Sequence, residues 1–182
     1  MNNLKYSDDF YRYFGRKNKI KDIKFLFLNP GLRFIYFYRK YNSTKIFFLK
    51  KLYRIILLYI QAEYGIEINP KLKIGKGFYI GHPFNITVNL NAILGENINI
   101  HKGVTIGQEN RGKRKGVPII GNKVWIGVNS TIVGKIKIGN NVLIAPNTYV
   151  NRDIPDNSIV IGNPCKIIEN IEATKDYINN IV

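Results

Sequence analysis

One stretch of the sequence decides the fold. Residues 68–104 read INPKLKIGKGFYIGHPFNITVNLNAILGENINIHKGV, and every sixth position holds an aliphatic residue or alanine. The same spacing returns in residues 120–150, after a longer step from Val104 to Ile120. The pattern predicts an internal repeat of six residues with one ten-residue insertion. The positions with this spacing are Ile68, Ile74, Ile80, Ile86, Ala92, Ile98, Val104, Ile120, Ile126, Ile132, Ile138, Ile144 and Val150.

A period of six matches neither an α-helix, with a period of 3.6, nor an isolated strand, with a period of 2. It is typical of a solenoid in which each hexad forms one short strand and three hexads close a triangular coil. The repeated aliphatic residue then fills the prism, and successive coils pair as parallel strands about 4.8 Å apart. Glycine and asparagine suit the corners because they adopt positive φ at low cost. The sequence therefore predicts a mainly β protein, a parallel β-helix whose handedness the period leaves open.

Composition excludes several classes of protein and site. The chain of 182 residues has one cysteine, Cys165, and two histidines, His82 and His101, which excludes a disulfide framework and makes a structural metal site improbable. The net charge is +16, and residues 1–64 carry 14 of the 28 lysines and arginines. Four more cations crowd into the insertion. Because this charge is not spread along one surface, it favours anionic lipid or a phosphate-bearing substrate over nucleic acid.

Residues 22–64 predict two helices separated near Asn42–Ser43, the first starting after Asn29-Pro30 and the second covering Lys45–Tyr64. The longest uncharged apolar run, Ile55–Ile60, is too short to span a bilayer. We expect these helices to cap the open end of the solenoid, and peripheral contact with an anionic membrane remains an additional role. The polar N-terminal residues MNNLKYSDDF do not resemble a signal peptide, so we expect a cytoplasmic protein, at most peripheral at the inner membrane face.

Three blocks within residues 64–168 carry a family resemblance: YGIEINPKLKIGKGFYIGHPFNITV, INIHKGVTIGQENRGKRKGVPIIGNKVWIG and IPDNSIVIGNPCKII. Together they resemble the hexapeptide-repeat acyltransferases, in the serine acetyltransferase-like branch that includes O-acetyltransferases of capsular polysaccharides. The preceding LNPGLRFIYFYRKY resembles the N-terminal arm of the polysaccharide-modifying members. The resemblance implies a left-handed parallel β-helix over residues 65–168, with a helical extension at 1–64 and a tail at 169–182. It also implies a homotrimer with active sites between neighbouring prisms, acetyl-CoA as co-substrate, and a histidine base.

The sequence departs from true serine acetyltransferases at two positions. Those enzymes have an aspartate directly before the active-site histidine, where this chain has Gly81, and a second histidine before a proline, where it has Val117 before Pro118. The departures favour a sugar hydroxyl of a surface polysaccharide, or of its precursor, as the acceptor. Two alternatives stay open: a serine O-acetyltransferase of cysteine biosynthesis, and a non-catalytic trimeric β-helix scaffold.

His82 is the expected base, because it stands near a predicted corner in GHPFN and matches the position of the family's histidine. Histidine can accept and return a proton near neutral pH. His101 lies one position beyond a full coil of three hexads from His82, so it should stack on the next coil almost at the same corner. It could orient the acceptor or replace the missing loop histidine, although a histidine with a structural role explains it as well.

The remaining candidate residues concern acceptor and donor binding. The insertion Gln108–Val117 should reach over an acceptor pocket, where its cations would meet an anionic acceptor or the phosphates of CoA. These cations are Arg111, Lys113, Arg114 and Lys115. The resemblance places donor contacts in the late coils, at Val128, Pro146, Asn151, Arg152 and Lys166. It implies no metal.

Overall fold

The structure is a computed structural model, and it describes residues 6–182. Within these residues the chain first forms four α-helices: α1 at Tyr6–Phe14, α2 at Lys24–Leu28, α3 at Pro30–Ser43 and α4 at Phe47–Tyr64. A 3₁₀ turn at Ile20–Ile23 precedes α2. Helices α3 and α4 confirm the two predicted helices, with Pro30 in the first turn and Gly65 in the left-handed conformation that ends α4. The sequence analysis did not predict α1, whose residues YSDDFYRYF are polar and aromatic.

Fifteen short strands follow in this part of the chain, most of them two or three residues long. In chain order they are β1 Ile66–Ile68, β2 Lys73–Ile74, β3 Tyr79–Gly81, β4 Ile86–Val88, β5 Ile93–Leu94, β6 Asn99–His101, β7 Thr105–Gly107, β8 Ile119–Ile120, β9 Val124–Ile126, β10 Thr131–Val133, β11 Lys137–Ile138, β12 Val142–Ile144, β13 Tyr149–Val150, β14 Ser158–Ile161 and β15 Lys166–Glu169.

The strands form the three faces of a prism. Face A has the order β1-β4-β7-β10-β13, face B the order β2-β5-β8-β11, and face C the order β3-β6-β9-β12-β14-β15. From β4 to β13, each strand therefore pairs with the strand three places earlier in the chain, and β14 pairs with β12. All pairs are parallel except that of β14 with β15. This topology confirms the predicted parallel β-helix with N-terminal helices.

The interior of the prism consists of the residues that carry the repeat. All thirteen of the repeated positions are buried, each at most 4% exposed. Burying a side chain of this size contributes roughly 1.5–3 kcal/mol relative to leaving it in water, so a column of them stabilises every coil. The hexad pattern thus specifies the core, as predicted.

The strand register corrects two details of the predicted repeat. Ile80 pairs with Ile100 on the next coil, whereas Ile126 pairs with Ile144, so the first of these coils is two residues longer than the second. The additional residues lie in the corner between β3 and β4. After this corner the residue that pairs with Ile68 on the coil before and with Ile106 on the coil after is Val88, not Ile86. Ile106 pairs with Ile132, so the later insertion lengthens its coil by eight residues and not by ten.

The sequence spacing hid this slip because each strand buries two residues, at positions i and i+2. Ile86 and Val88 are both buried in β4, and Ile98 and Ile100 are both buried around β6. A six-residue frame can therefore pass from one buried position to the other without meeting a polar residue. Only the pairing between coils distinguishes the two.

The helices cover the first coil, as expected. Phe34, Ile35 and Tyr38 of α3 and Leu57 and Ile60 of α4 belong to the same buried cluster as the prism interior. Within the described residues 6–182, no helix is long and apolar enough to cross a membrane. The C-terminal residues after β15 return along face C, where the Val182 amide donates to the side chain of Asn97.

A buried ion pair attaches the helices to the first coil. The Arg39 guanidinium donates to both carboxylate oxygens of Asp9, with Nε 2.8 Å from Oδ2, and also to the carbonyl oxygen of Ile74 at 2.9 Å. Asp9 in turn accepts the Phe78 amide at 2.8 Å. Both charged side chains are almost fully buried. The pair therefore joins α1, α3 and the backbone of the first coil in one network.

We predict that Arg39→Ala lowers the free energy of unfolding by about 3–5 kcal/mol, because it leaves the Asp9 carboxylate buried without its partner. Urea denaturation followed by circular dichroism measures this. Lys76→Ala is the control, since the ion pair of Lys76 with Glu96 is exposed and 3.8 Å long and should contribute about 1 kcal/mol or less. Equal effects of the two substitutions would contradict the prediction.

Candidate active site

His82 lies in the longest corner between faces C and A. The corner runs from the end of β3 at Gly81 to the start of β4 at Ile86, and it holds the two extra residues of the first coil. His82 and Asn85 both have positive φ, 55° and 52°, and the His82 side chain is exposed. The expected base is therefore accessible on an edge of the prism.

The helices hold this corner from one side. The Tyr13 hydroxyl donates to the carbonyl oxygen of Ile80 at 2.9 Å and accepts the amide of the same residue at 3.0 Å. Burial raises the pKa of Tyr13 well above its usual range, so the hydroxyl keeps its proton. Gly31 in α3 lies so close that a Cβ there would be 2.5 Å from the Ile80 oxygen. These contacts fix the strand that leads into His82.

His101 lies beside the residue that precedes His82. The ladder pairs Gly81 with His101, so the counterpart of His82 itself is Lys102. The prediction that the two histidines occupy adjacent coils, offset by one position, agrees with this register. Nδ1 of His101 is 2.9 Å from the carbonyl oxygen of Ile126. Because a carbonyl only accepts, Nδ1 carries the proton and Nε2 has the free lone pair in the neutral ring.

The surroundings of His101 favour its neutral form. Burial lowers the pKa of His101, the nearby His82 lowers it further, and the hydrogen bond to Ile126 opposes both effects. The ring lies 4.7 Å from the ring of Trp125, centroid to centroid. Around Gly81 the ring leaves no space: a Cβ on Gly81 would be 2.7 Å from Cδ2 and 2.9 Å from Nε2 of His101. His101 therefore fills the position where any larger residue 81 would place its side chain.

A polar cavity of about 280 Å³ opens on face C beside His101. Helix α1 and the C-terminal segment form its other walls. Burial lowers the pKa of Arg12, one of the wall residues, to about 10, so its guanidinium is charged at neutral pH. Among the described residues, no aspartate or glutamate lines this cavity. The residues around it are Arg12, Tyr13, Tyr79, Asn99, His101, Trp125, Tyr177, Asn179 and Asn180.

Sequence reasoning missed most of this cavity. Tyr79, Asn99 and Trp125 are register partners on adjacent strands of face C, so the exact ladder would have identified them as one column. Arg12 and Tyr177 come from the two ends of the chain, and no repeat or motif connects them to the column. A second cavity of about 140 Å³ lies among the helices, lined by residues such as Tyr6 and Asp22, and does not include either histidine.

The insertion lies on a different edge of the prism from His82. It leaves face A after β7 and returns to face B at β8, whereas the His82 corner joins faces C and A. It folds back on itself through paired backbone hydrogen bonds between Glu109 and Gly116, at 3.0 and 2.9 Å. Arg114 pairs with Glu109 at 3.2 Å. Arg111, Lys113, Arg114 and Lys115 are exposed there, on the A–B edge and not on the edge of His82.

Four of the five expected donor residues divide between the same two edges, and Lys166 lies on face C. Val128 and Pro146 occupy successive corners between faces C and A, joined by the hydrogen bond from the Asn147 amide to the Val128 carbonyl at 2.9 Å. They therefore share the edge of His82, about 10 and 15 Å further along at the usual coil spacing. Asn151 and Arg152 lie after β13, on the edge of the insertion. Lys166 is the exposed first residue of β15 on face C.

Comparisons with known proteins place this geometry in a family. Residues 118–152 match the family model described as bacterial transferase hexapeptide (six repeats). A serine acetyltransferase from Helicobacter pylori is 31% identical over 146 residues, which cover 79% of this chain and 84% of that protein. The chain belongs to the serine acetyltransferase family.

Solved structures of the serine acetyltransferase family agree with this assignment. The serine acetyltransferase of Neisseria gonorrhoeae in complex with serine superposes with a TM-score of 0.69 and 28% identity, over 90% of this chain and 67% of that one. The chain spans 49% of a Staphylococcus epidermidis serine acetyltransferase, which is 39% identical over 105 residues. These relatives are named for serine, so they favour the serine alternative over the sugar acceptor that the sequence departures led us to expect.

We predict that Gly81→Ala lowers the free energy of unfolding by about 1–3 kcal/mol, because its Cβ would overlap the ring of His101. In a double-mutant cycle, the same substitution in a His101→Ala background should cost measurably less, since the overlapping ring is gone. Thermal or urea unfolding of the four proteins gives the coupling. Additive effects would show that His101 does not occupy the space beside residue 81.

Proposed function

We propose that this chain is an acetyl-CoA-dependent O-acetyltransferase with His82 as general base and, by its relatives, L-serine as acceptor. The observation that carries the proposal is an exposed imidazole at a braced, lengthened corner, on the same edge as Val128 and Pro146. The relatives named as serine acetyltransferases support both the reaction type and the acceptor.

In this proposal His82 removes the proton of the acceptor hydroxyl as its oxygen attacks the thioester carbonyl. The new C–O bond forms, the C–S bond of the tetrahedral intermediate breaks, and His82 returns its proton to the sulfur of CoA. Backbone amides of the corner are the available donors for the oxyanion. The hydroxyl and the thioester must lie together beside the imidazole, so a corner that holds the imidazole in one position favours the reaction.

A homotrimer would complete the site. Candidate residues occupy two edges of one prism, the C–A edge with His82 and the A–B edge with the insertion and Arg152. In a threefold ring two different surfaces of each prism meet, and we propose that these are the A–B edge of one prism and the C–A edge of the next. The donor would then lie in the groove between prisms along Val128 and Pro146. Arg152 and Lys166 are both exposed cations and could pair with its phosphates.

We expect His82→Ala to reduce kcat for acetyl transfer by about 10²–10⁴-fold, because a general base contributes about this factor. Thiol release from acetyl-CoA in the presence of L-serine measures turnover, and calorimetry measures acetyl-CoA binding, which should persist. A variant with the wild-type rate would remove His82 from the mechanism. If neither the wild type nor the variant turns over acetyl-CoA with any acceptor, the non-catalytic scaffold is the better description.

A sugar hydroxyl is the second candidate acceptor, and the surroundings of residue 81 favour it. Gly81 and His101 leave no carboxylate beside the base, and the described residues that line the adjoining cavity include Arg12 but no acidic side chain. The ammonium group of serine would find no anionic partner among them, whereas amides and aromatic rings suit the hydroxyls and apolar ring face of a sugar. In this case His101 and the cations of the insertion would contact the acceptor.

The two acceptors predict opposite outcomes in one assay. With serine as acceptor, thiol release rises with L-serine and not with UDP-glucuronate or free hexoses. Arg111→Gln in the insertion then has little influence on the rate of thiol release. With a sugar acceptor, release depends on the sugar, and Trp125→Ala in the wall of the cavity raises KM for it about tenfold or more. Exposed Lys137→Gln on face B is the matched control for both variants.

A further inference from the structure

Helix α4 has two apolar faces. One packs on the protein through Leu57 and Ile60, which are buried. The opposite face is also apolar and open to solvent: Phe48 is 79% exposed, Tyr59 69% and Ile55 64%. At 3.6 residues per turn, the exposed apolar side chains other than Leu49 fall within an arc of about 140°. We call this surface the outer face of α4; it comprises Phe47, Phe48, Leu52, Ile55, Leu58 and Tyr59.

Such a face requires a partner. A surface helix of a globular protein is normally polar on the side away from its core, and a helix that is apolar all round is normally covered. A contiguous apolar patch of this kind marks an interaction surface. The reaction that we propose for the edge of the prism makes no use of it.

Cations surround the outer face, and the one carboxylate of α4, Glu63 near its end, already pairs with Arg33 at 3.5 Å. Residues 23–62 contain eight lysines and arginines and no aspartate or glutamate. Lys51 lies inside the arc, with its Nζ 4.5 Å above the ring of Phe47, and Lys50 lies beside it over the ring of Tyr41. None of the ion pairs among residues 6–182 involves Lys45, Lys50, Lys51 or Arg54. These charges are therefore available to an anionic partner.

We propose that the outer face of α4 binds the surface of an anionic phospholipid membrane. The helix would lie in the plane of the interface, with its aromatic and aliphatic side chains below the headgroups and its cations at the phosphates. Lys50 and Arg54 at the flank of the arc, and Lys51 within it, have stems long enough to carry their charges to the headgroups. The helix has 18 residues and four basic side chains in or next to it, which fits this orientation and not a span.

Charge decides between this partner and a second copy of the chain. Two outer faces packed together would bring Lys50, Lys51 and Arg54 of both copies close to one another. The one carboxylate of α4, Glu63, already pairs with Arg33, and residues 23–62 supply no other to balance these charges. A bilayer rich in phosphatidylglycerol offers the opposite charge together with an apolar layer. Each cation near such a surface strengthens binding, and salt weakens that part of the interaction.

Co-sedimentation with lipid vesicles tests the proposal on the whole chain. The wild type should pellet with vesicles of phosphatidylglycerol at low salt and remain in solution with phosphatidylcholine. Phe48→Ser/Ile55→Ser removes two exposed apolar groups, and Lys50→Gln/Lys51→Gln removes two cations; each should lower the partition coefficient about tenfold or more. The matched controls are Ile171→Ser, which removes another highly exposed side chain, and Lys137→Gln/Lys175→Gln, which removes the same charge elsewhere.

Three results would overturn the proposal. The wild type could stay in the supernatant with anionic vesicles, the controls could lose as much binding as the α4 variants, or Phe48→Ser/Ile55→Ser could lower the oligomeric mass in light scattering while vesicle binding stays unchanged. The last result would assign the outer face to a second copy. Circular dichroism verifies that each variant is folded, and the lysine variant carries the test if the apolar one is not. Vesicle binding needs no turnover, so it is independent of the proposed reaction.

Discussion

The stacking of aliphatic side chains inside the prism is the constraint on which the other features depend. Each coil contributes a few short strands whose backbone groups pair only with the coils above and below. A two- or three-residue strand has almost no stability by itself, so the coils hold together because their interiors form one continuous apolar column. Corner residues whose side chains point away from this column are free of the requirement. For that reason the corners, rather than the faces, carry the insertion, the extra residues beside His82 and most of the expected donor contacts.

An open solenoid must protect its first coil, and here the cap also affects the candidate site. Helices α1 and α3 are joined to the first coil by the buried pair of Asp9 and Arg39. Tyr13 and Gly31 then contact the backbone at Ile80, two residues before His82. The same elements therefore close the core and hold the strand that leads to the imidazole. The outer face of α4 is a large part of this cap that the described residues leave uncovered.

The relationship between Gly81 and His101 bears most directly on the acceptor. The ring of His101 occupies the space beside residue 81, and burial lowers its pKa, which favours the neutral form. A carboxylate at position 81 and the present His101 conformation exclude each other sterically. The family assignment rests on sequence identity over most of the chain and on the shared fold. The acceptor depends on a few side chains around one corner, and there the chain has its own arrangement.

The six-residue spacing alone determined the class of fold, because each buried position is reported by an aliphatic residue in the sequence. It also placed His82 and the insertion at corners, since corners lie at a known phase of the repeat. The two-residue slip at the His82 corner was invisible to it, because Ile86 and Val88, and likewise Ile98 and Ile100, are both buried and both aliphatic. Only the tertiary structure brought Arg12, Tyr79 and Tyr177 around one cavity. Contacts between the ends of the chain and the middle of a face leave no periodic trace in a sequence. When both sides of a helix are apolar, the sequence also does not show which side is exposed.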